Sequence, residues 1–239
     1  MATKPKSEAK SKPTDTRGKI IDALMELAAE TRFEDISIRD ICKAADVSLA
    51  DFRDAFPSKG AVLAGFSRRI DRAVLEQDTG ELADESPRER LFDILMRRLE
   101  AMAPYREGLR EAIAWLRRTP AAALAMNQAA TNSMLFMLEA AGIEAQGAGG
   151  AVKLQGLALA WGRVLHVWLS DEDPALSKTM AELDRVLTRG EQAAGGVDRL
   201  SALASPLTAL AEAVGRRARR GGSREARKED HGDEDVTAL

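Results

Sequence analysis

The chain has 239 residues, 45% hydrophobic, 31% charged and only 4% aromatic, with a formal net charge of −3. That balance fits one or two globular domains with a real core, and the wealth of Ala, Leu, Glu and Arg favours helices over sheet. A single cysteine, Cys42, excludes a disulfide framework or a multi-cysteine metal site, and no apolar run approaches the roughly 18–20 residues of a membrane span.

Residues 1–13 hold Lys4, Lys6, Lys10 and Lys12 against Glu8 alone, without the apolar stretch of a secretory signal. They are expected to be a disordered basic arm, and the lone cysteine points to a reducing cytoplasm. A first helix is expected from about Thr16 to Glu30, with Ile20, Ile21, Leu24, Leu27 and Ala28 forming one apolar stripe. Ser37 has the chemistry of an N-cap, and Ile38, Ile41, Cys42 and Ala45 give the next helix its buried face. Asp46-Val47-Ser48 leaves room only for a tight turn. Ser48 then caps a third helix, docked by Phe52 and Phe56, and Ser58 caps a fourth that carries Val62, Leu63, Phe66, Ile70 and Val74. A three-residue turn between the second and third helices makes a helix-turn-helix, which leaves the outer face of helix three free for a major groove.

From residue 81 the helices lengthen. Ser86-Pro87-Arg88-Glu89 combines a capping box with proline at the first helical position. Leu91, Ile94, Leu95, Leu99 and Met102 follow at helical spacing as far as Pro104, and a helix through Leu109, Ile113 and Leu116 stops before Pro120. The next is expected over 121–141, with Gly142 as its C-terminal cap. The glycine-rich GAGG at 147–150 follows no strand and lacks the lysine of a phosphate loop, so it is expected to be a flexible linker. A very apolar helix over 152–169 ends at Asp171-Glu172-Asp173-Pro174, three acids best explained as helix-boundary solvation. Another helix carries Met180, Leu183, Val186 and Leu187, and 197–214 has the pattern for one more. Residues 215–239 begin with an Arg-rich run and turn acidic, and are expected to be a disordered charged tail. Either tail can hold nucleic acid loosely by charge or serve only as a solvated extension.

Residues 16–66 resemble the N-terminal DNA-binding domain of TetR-family transcriptional repressors. The resemblance rests on RGKIIDALMELAAE, SIRDICKAADVS and FPSKGAVL, in that order and spacing. It implies an all-α fold, with a helix-turn-helix domain over 14–75 and a helical ligand-binding and dimerising domain over 81–214. It further implies a homodimeric regulator that binds a double-stranded operator and is released by a small apolar effector. Where the family often has Lys, Gly, a small residue, Leu, Tyr, any residue and His, this chain has Leu49, Ala50, Asp51, Phe52, Arg53, Asp54 and Ala55. Arg53 replaces a tyrosine that usually bonds a phosphate, and can do so with a full charge. By this resemblance Ser37, Arg39, Ser48, Arg53 and Lys59 would position the protein through phosphates. Leu49 and Ala50 would meet base edges through thymine methyl groups. The segment 14–75 holds ten Lys or Arg against eleven Asp or Glu, few cations for a phosphate-dominated interface.

Residues 160–187, AWGRVLHVWLSDEDPALSKTMAELDRVL, are similar to the C-terminal part of the ubiquinone-biosynthesis lipid-binding proteins. Those resemble TetR regulators in fold but hold isoprenoid lipids, so a lipid-binding protein with a purely structural helix-turn-helix is the alternative. Trp115, Met134, Trp161 and His166 are the candidate pocket residues; the tryptophans equally suit core or interface packing, and His166 a satisfied structural role. Cys42 fills a small-residue slot on the second helix. Neither a nucleophile–base pairing nor a histidine–carboxylate metal motif occurs, so no enzymatic activity, metal or cofactor is expected.

Overall fold

In the computed structural model, which describes residues 13–77, 84–145 and 147–193, every described segment of regular structure is helical. The helices are α1 (Pro13–Glu30), α2 (Ile38–Ala45), α3 (Leu49–Ala55), α4 (Lys59–Leu75), α5 (Pro87–Met102), α6 (Arg106–Arg118), α7 (Pro120–Ala140) and α8 (Gly147–Ser170), followed by α9 over residues 177–193. A short 3-10 turn, Ala103–Tyr105, joins α5 to α6. Contacts divide the chain after residue 191, and the second unit, 192–239, lies outside the described residues except for its first two positions. Residues 1–12 of the basic arm, the helix expected over 197–214 and the charged tail likewise lie outside them. Among the described residues, no helix is long and apolar enough to cross a membrane.

Four serines set the helix starts. The hydroxyls of Ser37, Ser48, Ser58 and Ser86 accept the backbone N–H three residues on, each satisfying a donor the helix cannot. Pro87 sits at the first position of α5 beside the Ser86–Glu89 capping box. Asp46 closes α2 in the left-handed region (φ 51°), and the Val47 amide returns to the Cys42 carbonyl. The turn from α2 into α3 is therefore only Asp46-Val47-Ser48.

A seven-residue helix such as α3 is marginal by itself. Its buried Phe52 and the Phe56 that follows it, with ring centroids 6.5 Å apart, join the core shared with Ile20, Ile21 and Leu24 of α1. Arg17 of α1 lies 4.2 Å from the Phe56 ring and donates to the Ala55 carbonyl at the end of α3 (2.6 Å). The same apolar cluster runs on through α4–α9, so head and bundle share one core. α6 lies directly on α1 at Gly108, where an added Cβ would come within 2.4 Å of the Met25 carbonyl oxygen.

Two expectations fail in the second half. GAGG is no linker but the first turn of α8, which begins five residues before Val152. At Gly150 the chain passes so close to Ala145 that a Cβ would fall 2.1 Å from its carbonyl oxygen. Glycine is needed there for that approach, which outweighs its low helix propensity. The Asp171 carboxylate is not solvated either. It is buried and accepts both the amide (2.9 Å) and the hydroxyl (2.7 Å) of Thr179. Burial pushes its pKa up, but those hydrogen bonds outweigh burial and hold it below the usual aspartate value. Asp173 accepts the Ala175 amide, and Arg163 and Arg185 both pair with the buried Glu182. The Arg163–Glu182 pair and the Thr179–Asp171 bonds tie α8 and its C-terminal end to α9.

Candidate nucleic-acid interface and interior cavity

α2 and α3 begin with the same four-residue device, Ser37-Ile38-Arg39-Asp40 and Ser48-Leu49-Ala50-Asp51. In each, the Asp carboxylate accepts the serine amide (2.9 and 3.1 Å) and the serine hydroxyl (2.6 Å in both). The serine oxygen in turn accepts the Asp amide. Hydrogen bonds from Ser37 hold the Asp40 carboxyl below its ordinary pKa. A helix N-terminus is a natural anion site. Here each is already engaged by the chain's own serine and carboxylate.

The exposed cations of the pair are side chains. Arg39 and Lys43 lie four apart on α2, hence on one side, while Ile41, Cys42 and Ala45 face the core. Leu49 is 52% exposed at the first position of α3, Ala50 is exposed beside it, and Ile38 is 38% exposed. Arg53 is exposed and has no hydrogen-bond or ion-pair partner among the described residues. Lys43 is a further exposed cation, whose i+4 spacing from Arg39 is legible in the sequence. Burial raises the Cys42 thiol pKa, in line with a packed residue.

Lys59 behaves differently. Its ammonium donates to the carbonyls of Phe33 (2.6 Å), Glu34 (3.2 Å) and Ile36 (2.7 Å) and lies 5.1 Å from the Phe33 ring. An ammonium has three N–H donors, and all are engaged, leaving none for a phosphate; burial lowers its pKa. It ties the start of α4 to the segment that leads into the α2 cap. α6 grips the same segment. Trp115 packs on Phe33 with centroids 4.6 Å apart, and Arg118 pairs with Glu34 at 3.2 Å.

Behind this junction, helices α4–α8 line a largely apolar cavity of about 310 Å³, half open to solvent beside the exposed Leu159 of α8. Phe66, Ile70, Met102, Leu109, Met126 and Trp161 supply much of its wall. Arg98 is the one charged lining residue. It is 3% exposed, pairs with buried Asp71, donates to Ser67 (3.1 Å) and lies 5.3 Å from the Trp161 ring. Ser133 donates to the same Asp71 oxygen (2.7 Å). Burial lowers the Arg98 pKa to about 10, and its buried Nε finds no acceptor among the described residues. A second hollow, about 480 Å³, lies between α4, α6 and α7 and includes Lys59 and Trp115; Leu63, Leu116 and Met126 line both.

Of the expected pocket residues, Trp161 lines the cavity, whereas Trp115 borders the second hollow. Met134 is fully buried in the core away from both linings. His166 is exposed, and its Nδ1 accepts from Arg117 at 3.0 Å. Trp168 is buried beneath Arg106, 5.1 Å from its ring. Outward, α8 exposes Val152 (58%) and Leu159 (65%), seven apart and so on one face.

No protein-family model matches the sequence, and no curated protein is detectably similar to it. Solved structures are. A TetR transcriptional regulator from Nitrosomonas europaea is 23% identical, covering 74% of this chain and 98% of its own, with a TM-score of 0.58. A TetR transcriptional regulator from a Rhodococcus species is 22% identical, covers 74% and 97%, and gives a TM-score of 0.51. A TetR-family regulator from Streptomyces coelicolor is 15% identical over 81% and 99%, also with a TM-score of 0.51. The chain has the fold of TetR-family regulators.

Proposed function

We propose that this TetR-shaped chain is a homodimeric DNA-binding transcriptional regulator, a repressor released by a small apolar effector, and not an enzyme. The observation that carries the proposal is the α2–α3 face. Two short helices, fixed by matching capping boxes, present Arg39, Leu49, Ala50 and Arg53 to solvent with no structural task visible for Arg39 or Arg53. Arg39 and Arg53 hold phosphates, with Lys43 alongside, and Leu49 and Ala50 meet base edges in the major groove. Ser37 and Ser48 set the helix directions through their caps, and Lys59 braces the approach to α2. Dimerisation through α8 and α9 sets two such faces about 34 Å apart, one turn of DNA.

The cavity offers the switch. An effector pressing on Leu63, Leu116 or Met126 moves the wall shared with the second hollow, and with it Trp115 and Lys59. Both hold the segment between α1 and α2. Effector and operator then weaken each other by one common factor. Genomic footprinting of the tagged protein tests the proposal; discrete palindromic sites support it, and their absence rejects it.

One observation favours the alternative of a lipid-holding protein. The head is near neutral, and the N-termini of its α2 and α3 are engaged by the chain's own carboxylates. Without enriched DNA sites, that reading takes first place.

A further inference from the structure

We propose that Asp54 of α3 is a base-reading residue, whose carboxylate accepts the exocyclic amine of a cytosine in each half of the operator. The proposal rests on the DNA-binding reading above and goes on to name a feature of the DNA.

The pitch of the helix places it. Successive residues are about 100° apart, so Ala50 and Asp54, two before and two after the buried Phe52, both point about 160° away from it. They lie four apart and are therefore neighbours, on the side of α3 opposite the core. Asp51 and Arg53 lie about 100° from Phe52, on the two flanks. Arg53 can then reach a phosphate while Asp54 faces the floor of the groove.

Asp54 is exposed and, unlike Asp51, has no hydrogen-bond or ion-pair partner among the described residues. It also sits in the last turn of α3, where the helix dipole disfavours a carboxylate. Folding gains nothing from it.

A carboxylate only accepts hydrogen bonds, and that selects the base. In the major groove guanine shows two acceptors and thymine an acceptor beside its methyl group, so both repel it. Adenine offers its N6 amine but sets the N7 acceptor beside it. Cytosine offers its N4 amine with no acceptor alongside. Without that cytosine the charge meets acceptors and phosphates, so Asp54 weakens binding to other sequences.

The test is selection from duplexes randomised over about 20 base pairs, two turns of DNA, by the wild type, Asp54→Ala and Asp54→Asn. The selected site is then titrated with each base pair replaced in turn. The wild type should show one cytosine per half-site whose replacement costs at least about fivefold in affinity. Asp54→Ala should bring that preference within about twofold, leave the other positions as they were, and bind a scrambled duplex more tightly. Asp54→Asn, whose amide pairs with both N6 and N7, should move the preference to adenine. An unchanged preference at every position in either variant, or an affinity lost equally at all of them, would overturn the proposal. A wild type that selects no site removes the DNA-binding reading and this proposal with it. A selected site with an unchanged Asp54→Ala profile removes this proposal alone.

Discussion

The carboxylate of Asp51 folds back onto Ser48, accepting its amide at 3.1 Å and its hydroxyl at 2.6 Å. A residue that looks in sequence like a charge repelling phosphate is thus part of what holds α3 together. Asp51→Ala should lower stability, read from the denaturant midpoint, by up to about 1 kcal/mol, since it removes the reciprocal half of the capping box while Ser48 keeps the residue-51 amide. It should also weaken DNA binding, because α3 frays. Were Asp51 only a repulsive charge, the same substitution would tighten binding, and a duplex titration separates the two.

Lys59→Met should cost roughly 1.5–3 kcal/mol of stability, since three carbonyls lose a charged donor. The salt dependence of DNA binding should keep its slope, whereas each phosphate contact removed flattens it by about one. Denaturation with a salt titration of the same variant checks both.

Acid should loosen the α8–α9 corner and the α2 cap together. Thr179 holds Asp171, and Ser37 holds Asp40, below their ordinary pKa values. A carboxyl depressed in the folded state contributes stability in full above its unfolded pKa, near 3.8. That contribution is lost as pH falls through the still lower native value. The urea midpoint should fall below about pH 4, and Asp171→Asn should make that fall shallower. An equally steep fall in the variant would remove Asp171 from the account.

Light scattering at micromolar concentration should give about twice the chain mass of 25.9 kDa. Val152→Glu, which places a charge on the exposed apolar face of α8, should shift the protein towards monomer. A monomeric wild type would remove the paired-face arrangement.

The parts visible in the sequence are those fixed locally. Ser37, Ser48, Ser58 and Ser86 cap helices because a cap depends on three or four neighbouring residues, and Phe52 and Phe56 pack as their spacing implies. Asp51 follows the same logic, as Ser-x-x-Asp closing the capping box of α3. Pocket membership is not local. Trp161 and His166 share α8, yet five residues at 100° each turn them about 140° apart, one to the cavity and one to solvent. Asp171 is buried only because Thr179, eight residues on, returns to it. In the stretch resembling lipid-binding proteins, Asp171, Asp173, Thr179 and Arg163 all serve this α8–α9 corner. That similarity follows the architecture there, and Trp161, Gly162 and Leu165 of α8 extend it to the cavity.

The most direct test of the central claim is a titration of wild type and Arg53→Ala against a footprinted duplex and a scrambled one. Arg53 has no partner of its own among the described residues, so its loss should leave folding unchanged. As a phosphate contact, it should weaken binding to both duplexes by a similar factor, roughly 1.5–3 kcal/mol for each head. Unchanged affinity for both duplexes, in a protein that selects no site, would contradict DNA recognition by this face.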